Sequence, residues 1–214
     1  MCSMPRLLAV CRVDRLLPDP GSIGVTAIDK RPVEGPVVVR DLGLYADVQA
    51  DRAHHGGEAK ALYAYSSDDA DWWGERLGRP TPPGFFGENL RIEGHDLSSA
   101  VVGERWRIGE RVEVEVTMPR TPCATFQRHL DEPQWVKRFA EEGRTGAYLR
   151  VLRRGSIEAG DTIEVLSRPT RSVPLRRWFV ERRADDAQTL LDAEAAGELQ
   201  LAEALRVYLH RALA

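Results

Sequence analysis

Apolar and polar positions alternate in short runs through the first three quarters of the chain. Residues 111–118 show this most plainly, with Val112, Val114 and Val116 on one face and Glu113 and Glu115 on the other. That is the period-2 pattern of a half-buried strand. Further β-leaning runs occur at 7–13, 36–39, 62–65, 89–92, 105–108, 147–152 and 161–165, punctuated by glycine and proline. Gly109-Glu110 between two of them predicts a tight turn. Many short strands at close spacing predict a β-barrel or sandwich.

Two helices interrupt the strands. Ser66 and Asp69 have capping-box spacing, and Asp68, Asp69 and Asp71 suit the positive end of a helix dipole. This helix is expected to run to Leu77 and stop at Gly78. Pro133 opens a second, over residues 134–142, with Trp135 and Phe139 on one face and Gly143 at its end. The pattern changes after Arg168. Residues 168–183 are arginine-rich, and the last thirty residues carry leucines near helical period, including Leu201, Leu205, Leu209 and Leu213 at i, i+4. Residues 185–214 therefore predict two or three short helices. The expected division is a β domain over 1–167 and a linker with a small all-α extension over 168–214.

The 214 residues carry 30 basic and 33 acidic side chains, a net charge of −3, which disfavours nucleic-acid binding. Only Lys30, Lys60 and Lys137 among the basic residues are lysine, a lopsidedness that compositional bias explains. No apolar run reaches the roughly 18 residues of a membrane span, and the run at 7–11 is too short for a secretory signal of about 7–15 apolar residues. A cytoplasmic protein without membrane contact is expected. Cys2, Cys11 and Cys123 are odd in number and contain no CxxC, which excludes a disulfide scaffold and a four-thiolate iron–sulfur cluster.

Cys123 closes the stretch Pro119-Arg120-Thr121-Pro122-Cys123, just beyond the best strand. Two prolines make the turn rigid, and a nearby Arg120 charge would favour the thiolate, the form that binds metals. An inert buried cysteine fits these local features equally well. Cys11, in an apolar strand, reads as a small buried hydrophobe. In Arg52-Ala53-His54-His55-Gly56-Gly57-Glu58-Ala59-Lys60, adjacent histidines of an extended segment point to opposite faces and do not grip one metal together. Gly56 and Gly57 let backbone N–H groups approach an anion, with Arg52 and Lys60 supplying charge; an ordinary glycine turn is the alternative. Asn89, after Gly84-Phe85-Phe86-Gly87-Glu88, offers the donors and acceptor that read a heterocycle edge, or simply enters a strand. Gly143-Arg144-Thr145-Gly146 is a helix C-cap or a further anion contact. GxSxG, HExxH, GxGxxG and the Walker loop are absent, which removes support for hydrolase, zincin and nucleotide-binding readings.

Together these clusters resemble the MOSC family, named for the C-terminal part of molybdenum cofactor sulfurases. The resemblance covers roughly residues 20–166. It is carried by Lys30-Arg31-Pro32-Val33, Gly43-Leu44, Asp47 with Gln49-Ala50-Asp51, His54-His55-Gly56-Gly57, Lys60-Ala61-Leu62-Tyr63-Ala64-Tyr65, Phe86-Gly87-Glu88-Asn89-Leu90, Arg107-Ile108-Gly109, Pro119-Arg120-Thr121-Pro122-Cys123, Gly143-Arg144-Thr145-Gly146 and Gly160-Asp161. The tail is similar to the three-helix extension of the bacterial stand-alone branch, whose members reduce N-hydroxylated bases. The resemblance implies a mainly β fold, a barrel with peripheral helices plus the helical extension, and a molybdenum–molybdopterin cofactor. It implies that Cys123 is the catalytic thiolate ligand to molybdenum, and that Arg52, His55, Gly56, Gly57, Lys60, Arg120 and Arg144 face the pterin phosphate, with Asn89 on the pterin ring. It further implies a detoxifying oxidoreductase taking hydroxylaminopurines or other small N-hydroxylated substrates, with electrons from a separate flavoprotein or ferredoxin-type reductase. The arginine-rich segment 168–183 is then either a docking surface or a solvated linker. A carrier of persulfide sulfur or of the cofactor is the alternative function, and a homodimer is compatible with both. The sequence departs from the family pattern at Ala46, Glu104 and Met118, none of which removes the thiol or a cation.

Overall fold

The computed structural model describes residues 4–21, 23–50 and 56–214. The strands are β1 (Arg6–Val13), β2 (Leu17–Pro18), β3 (Val25–Thr26), β4 (Lys30–Pro32), β5 (Val37–Arg40), β6 (Gly43–Leu44), β7 (Leu62–Ser66), β8 (Leu90–Glu93), β9 (Arg105–Ile108), β10 (Val112–Pro119), β11 (Ala147–Arg153), β12 (Gly155–Ile157) and β13 (Ile163–Ser167). The helices are α1 (Ser67–Leu77), α2 (Ala124–Leu130), α3 (Trp135–Glu142), α4 (Leu175–Glu181), α5 (Ala184–Ala195) and α6 (Glu203–Leu213), and a 3-10 turn spans Glu58–Lys60. All eight longer runs expected as strands are strands, displaced by no more than two residues at either end.

Eight strands form the main sheet in the order β13-β9-β10-β11-β7-β8-β1-β4. Every neighbouring pair is antiparallel except β7 and β8. Parallel neighbours need a crossover, and α1 lies between them in the chain. Smaller sheets, β12-β5-β6 and β2-β3, flank the main one. The fold is thus a mixed, sheet-rich architecture with substantial helix. The expected barrel is not found as a closed ladder. The opening of β1 meets the segment before β13 through Leu7 N–H to Asp161 O (2.8 Å) and Ile163 N–H to Pro5 O (2.8 Å). Strand pairing there is limited to one bridge, Arg6 to Thr162.

The first helices form as their sequences dictate. Ser66 is the N-cap of α1, and Gly78 (φ 62°) ends it in the left-handed region that glycine adopts without strain. Gly143 (φ 66°) ends α3 in the same way. Helices α1, α2 and α3 bring Trp73, Phe126, Trp135 and Phe139 onto Tyr65 and Phe86 of the sheet side. Ring centroids are 4.3 Å apart for Tyr65–Phe86 and 4.5 Å for Trp73–Trp135. All six side chains are fully buried, and aromatic contacts of this kind add about 0.5–1.5 kcal/mol each beyond area burial.

Residues 168–183 contain α4, which buries Leu175, Trp178 and Phe179 and packs against β10. Leu175 N–H donates to Ala100 O (2.8 Å). Glu115, on the face of β10 expected to meet solvent, is buried; it is held by Arg105 (3.2 Å) and Arg150 (3.0 Å). Glu104 is also buried. It accepts from Trp106 Nε1 (2.7 Å) and pairs with Arg168 (2.9 Å). Burial alone would raise its pKa, but His95, Trp106 and Arg168 together hold it below the ordinary value. Leu201, Leu205 and Leu209 join the core as their spacing predicts, while Leu213 at the end of α6 is exposed.

Candidate active site

A cavity of about 200 Å³ opens beside the loop that joins β10 to α2. Cys123 is the N-cap residue of α2 and lines it, half-buried. Arg120, Lys60, Lys30, Asp47, Asn89, Tyr63 and Tyr148 line it too. The sheet thus brings together residues from β4, β7, β11, the 3-10 turn and the β10–α2 loop. Among the lining residues, Cys123 is the single soft metal donor. Among the described residues no three His, Cys, Asp or Glu side chains gather as a metal cluster.

Arg120 is the central cation. It is buried, donates to Phe86 O (2.7 Å), and lies over the rings of Phe126 (3.8 Å) and Tyr63 (4.9 Å). No carboxylate pairs with it among the described residues. Burial would favour loss of its proton, but the nearby Tyr63, Tyr148 and Cys123 acid groups outweigh this and raise its pKa. Burial likewise raises the phenols of Tyr63 and Tyr148 against the Arg120 charge, so both remain neutral donors. A buried guanidinium without a carboxylate is costly unless an anion meets it.

The opposite wall is a polar lattice. Lys30 forms a buried ion pair with Asp47, and Asp47 also accepts from Val13 N–H (2.9 Å) and Asn89 Nδ2 (2.8 Å). Asn89 further donates to Cys11 O (3.3 Å) and accepts from Tyr63 N–H (3.2 Å). Both amide hydrogens are therefore spent on the protein, and one acceptor position is left. Asn89 is held in place by the preceding turn, where Glu88 accepts from Gly84 N–H (2.9 Å), Phe86 N–H (3.0 Å) and Arg91 Nε (2.9 Å). The Phe86-Gly87-Glu88-Asn89 cluster is thus chiefly a device that fixes β8 beside the cavity.

The remaining expected site residues divide. Lys60 lines the cavity, with its ammonium 5.7 Å from the Tyr148 ring centroid. Gly57 N–H donates to Gln49 Oε1 (3.0 Å), and Gln49 Nε2 donates to Lys60 O (3.2 Å), so the glycine turn is tied to the cavity edge. Gly56 lies next to it, but neither glycine is among the lining residues. Arg52 and His55 lie outside the described residues, as do His54 and Cys2. Arg144 does not face the cavity. It pairs with buried Asp69 and stacks on Trp72 (4.6 Å). The arginines of 168–183 are engaged internally, as Arg171 with Glu198 and Arg177 with Asp186 (2.6 Å) show. Lys30, Asp47 and Tyr63 were legible as motif members and Tyr148 as a strand residue, but none of them as a site residue. Their partners lie far away in sequence, and only the fold brings them to one wall.

The sheet-rich scaffold thus presents on one cavity a half-buried thiol and a buried cation that has no carboxylate partner among the described residues. Residues 51–164 match the MOSC domain profile, and the chain belongs to the MOSC domain family. It is 33% identical to the uncharacterized protein YflK of Bacillus subtilis over 85% of this chain and 81% of that protein. It is 33% identical to a fungal protein named reductase, from Gibberella moniliformis, over 77% of this chain but only 30% of the fungal protein. Protein YiiM of Escherichia coli is 30% identical over 67% of this chain and 65% of its own length. The crystal structure of YiiM from Geobacillus stearothermophilus covers 98% of this chain and all of that one, with a TM-score of 0.77 and 27% identity. The described residues contain no helix long and apolar enough to cross a membrane.

Proposed function

We propose that the chain is a cytoplasmic molybdenum cofactor-dependent oxidoreductase that reduces N-hydroxylated compounds to the corresponding amines. The observation that carries the reading is the pairing, on one cavity, of a half-buried thiol with a buried guanidinium that has no carboxylate partner among the described residues. The donor chemistry fits the group. A thiolate suits a soft transition metal, and Arg120 and Lys60 suit an anionic pterin phosphate. The family and the reductase name of one relative support the same class.

When bound, the cofactor supplies two-electron redox chemistry. Cys123 would hold the metal through its sulfur. Arg120, pinned by Phe86 O and its ring contacts, would keep a fixed positive charge facing the anionic part, with Lys60 at the rim. The Lys30–Asp47–Asn89 lattice would keep the other wall rigid while leaving little net charge on it. Overall, one N–OH group takes two electrons and two protons, giving N–H and one water. The electrons come from a separate reductase. We read residues 168–214 as a helical appendage that covers the outer face of β10, away from the chemistry.

The direct test is turnover by protein made in a molybdopterin-competent host, with a reduced viologen dye as electron donor and phenylhydroxylamine as substrate. Cys123→Ser is expected to lower kcat/KM by more than about 100-fold. Arg120→Met is expected to lower it by roughly 10–100-fold, the range for residues that orient a metal site. Full activity in Cys123→Ser would overturn the assignment. Cyanide-labile sulfur on Cys123 without any turnover would point to a sulfur carrier instead.

A further inference from the structure

The cavity has a side with a different character. The β2–β3 hairpin lines it through Asp19, Gly21, Ile23, Val25 and Thr26, and Val48 lines it as well. Ile23 is 46% exposed, Val25 42% and Val48 45%. Three half-exposed branched aliphatic residues thus line one cavity, where their apolar surface is open to an occupant. The lining also carries the charged Arg120, Lys60 and the Lys30–Asp47 pair.

A two-stranded hairpin has little stability alone, yet this one is fastened. Asp19 takes both prongs of Arg128 on α2, Nε at 2.9 Å and Nη2 at 2.7 Å. It also accepts from Thr125 Oγ1 (3.1 Å) and from Gly21 N–H (3.1 Å). A Cβ at Gly21 would stand 2.7 Å from the Asp19 carboxylate, which would have to shift to make room. Arg128 and Thr125 belong to the helix that Cys123 begins. The latch therefore sets the apolar wall at a fixed place relative to the thiol. It also neutralises a carboxylate that would otherwise repel an anionic occupant.

We infer that the hairpin is the substrate-selecting wall, and that it favours N-hydroxylated compounds with a flat apolar body over small aliphatic ones. Asp19 and Arg128 act as its positioning pair. The inference rests on the reductase reading for the chemistry but on the cavity alone for the selection. A flat ring held against Ile23, Val25 and Val48 would leave its polar nitrogen end free to face the Cys123 side of the cavity.

The test separates binding from turnover. Phenylhydroxylamine and N-methylhydroxylamine are titrated by NMR into the wild type, Ile23→Asp and Val25→Asp. Both changes are at exposed positions, and thermal melting checks that the fold is kept. The wild type is expected to bind the aryl compound more tightly, and each variant to reduce that preference about tenfold, the scale of lost apolar pocket contact. Asp19→Asn is expected to raise KM for phenylhydroxylamine more than it lowers kcat, because the chemistry's own groups are untouched. A wild type with no aryl preference, or aspartate variants that keep it, would overturn the inference. Selective binding without turnover in any variant would uphold the wall and remove the reductase reading.

Discussion

The two described cysteines show how the same side chain takes opposite roles. Cys11 is buried in β1, and burial, reinforced by Glu88, pushes its thiol up to about 12 from an ordinary 9.0. Three pH units correspond to a thiolate fraction about a thousandfold smaller. Because the folded pKa is raised, the protonated thiol favours the fold. This contribution is complete below pH 9 and is lost as pH rises from 9 to about 12. Cys123 instead opens on the cavity. In a Cys2→Ser background at pH 8, iodoacetamide is therefore expected to label Cys123 and leave Cys11 unmodified until urea unfolds the chain. Mass spectrometry reads the outcome, and comparable labelling of both would contradict it. The burial of Cys11 was legible in the sequence because strand patterning is local, whereas the local features of Cys123 left a buried and an accessible thiol equally open. The sequence did not show that Asn89 spends both amide hydrogens on the protein or that Arg144 pairs with Asp69, since a side chain's remaining donors are countable only once its partners are known.

At the level of elements, patterning located every long strand and the two central helices. Helix α2, directly after Cys123, escaped the sequence reading: seven residues are too few for a periodic signal, and Cys123 is an unusual N-cap. The capping box at Ser66 marked the right boundary although its side chain makes no capping bond. Strand β4, three residues long, was also missed, yet it carries Lys30 into the site. Its placement depends on Gly84, whose φ is +90° and whose Cβ would lie 2.2 Å from Lys30 O. Gly84→Ala should cost roughly 1–3 kcal/mol of stability, read as a lower urea midpoint. An unchanged midpoint would show that the turn is not held by this contact.

The molecule as a whole is a mixed sheet in which β1 meets the segment before β13 at one bridge, with helices burying the aromatic side and α4 packed against β10. Its near-neutral balance of charge hides strong local pairing, including the Glu104–Arg168 and Glu115–Arg150 contacts that join distant segments. Alternation along residues 111–118 predicted an exposed acidic face because a single strand carries no information about what will cover it. The cavity was legible as a set of motifs; its two-sided character was not, since Ile23, Val25 and Val48 read as ordinary apolar positions until the hairpin folds against α2. The central claim is that Cys123 holds a metal within this cavity. Molybdenum and pterin content of protein purified from a molybdopterin-competent host measures it most directly. The account predicts about one molybdenum and one pterin per chain in the wild type, and loss of the metal in Cys123→Ser. Equal metal content in the two proteins, or none in the wild type, would contradict it.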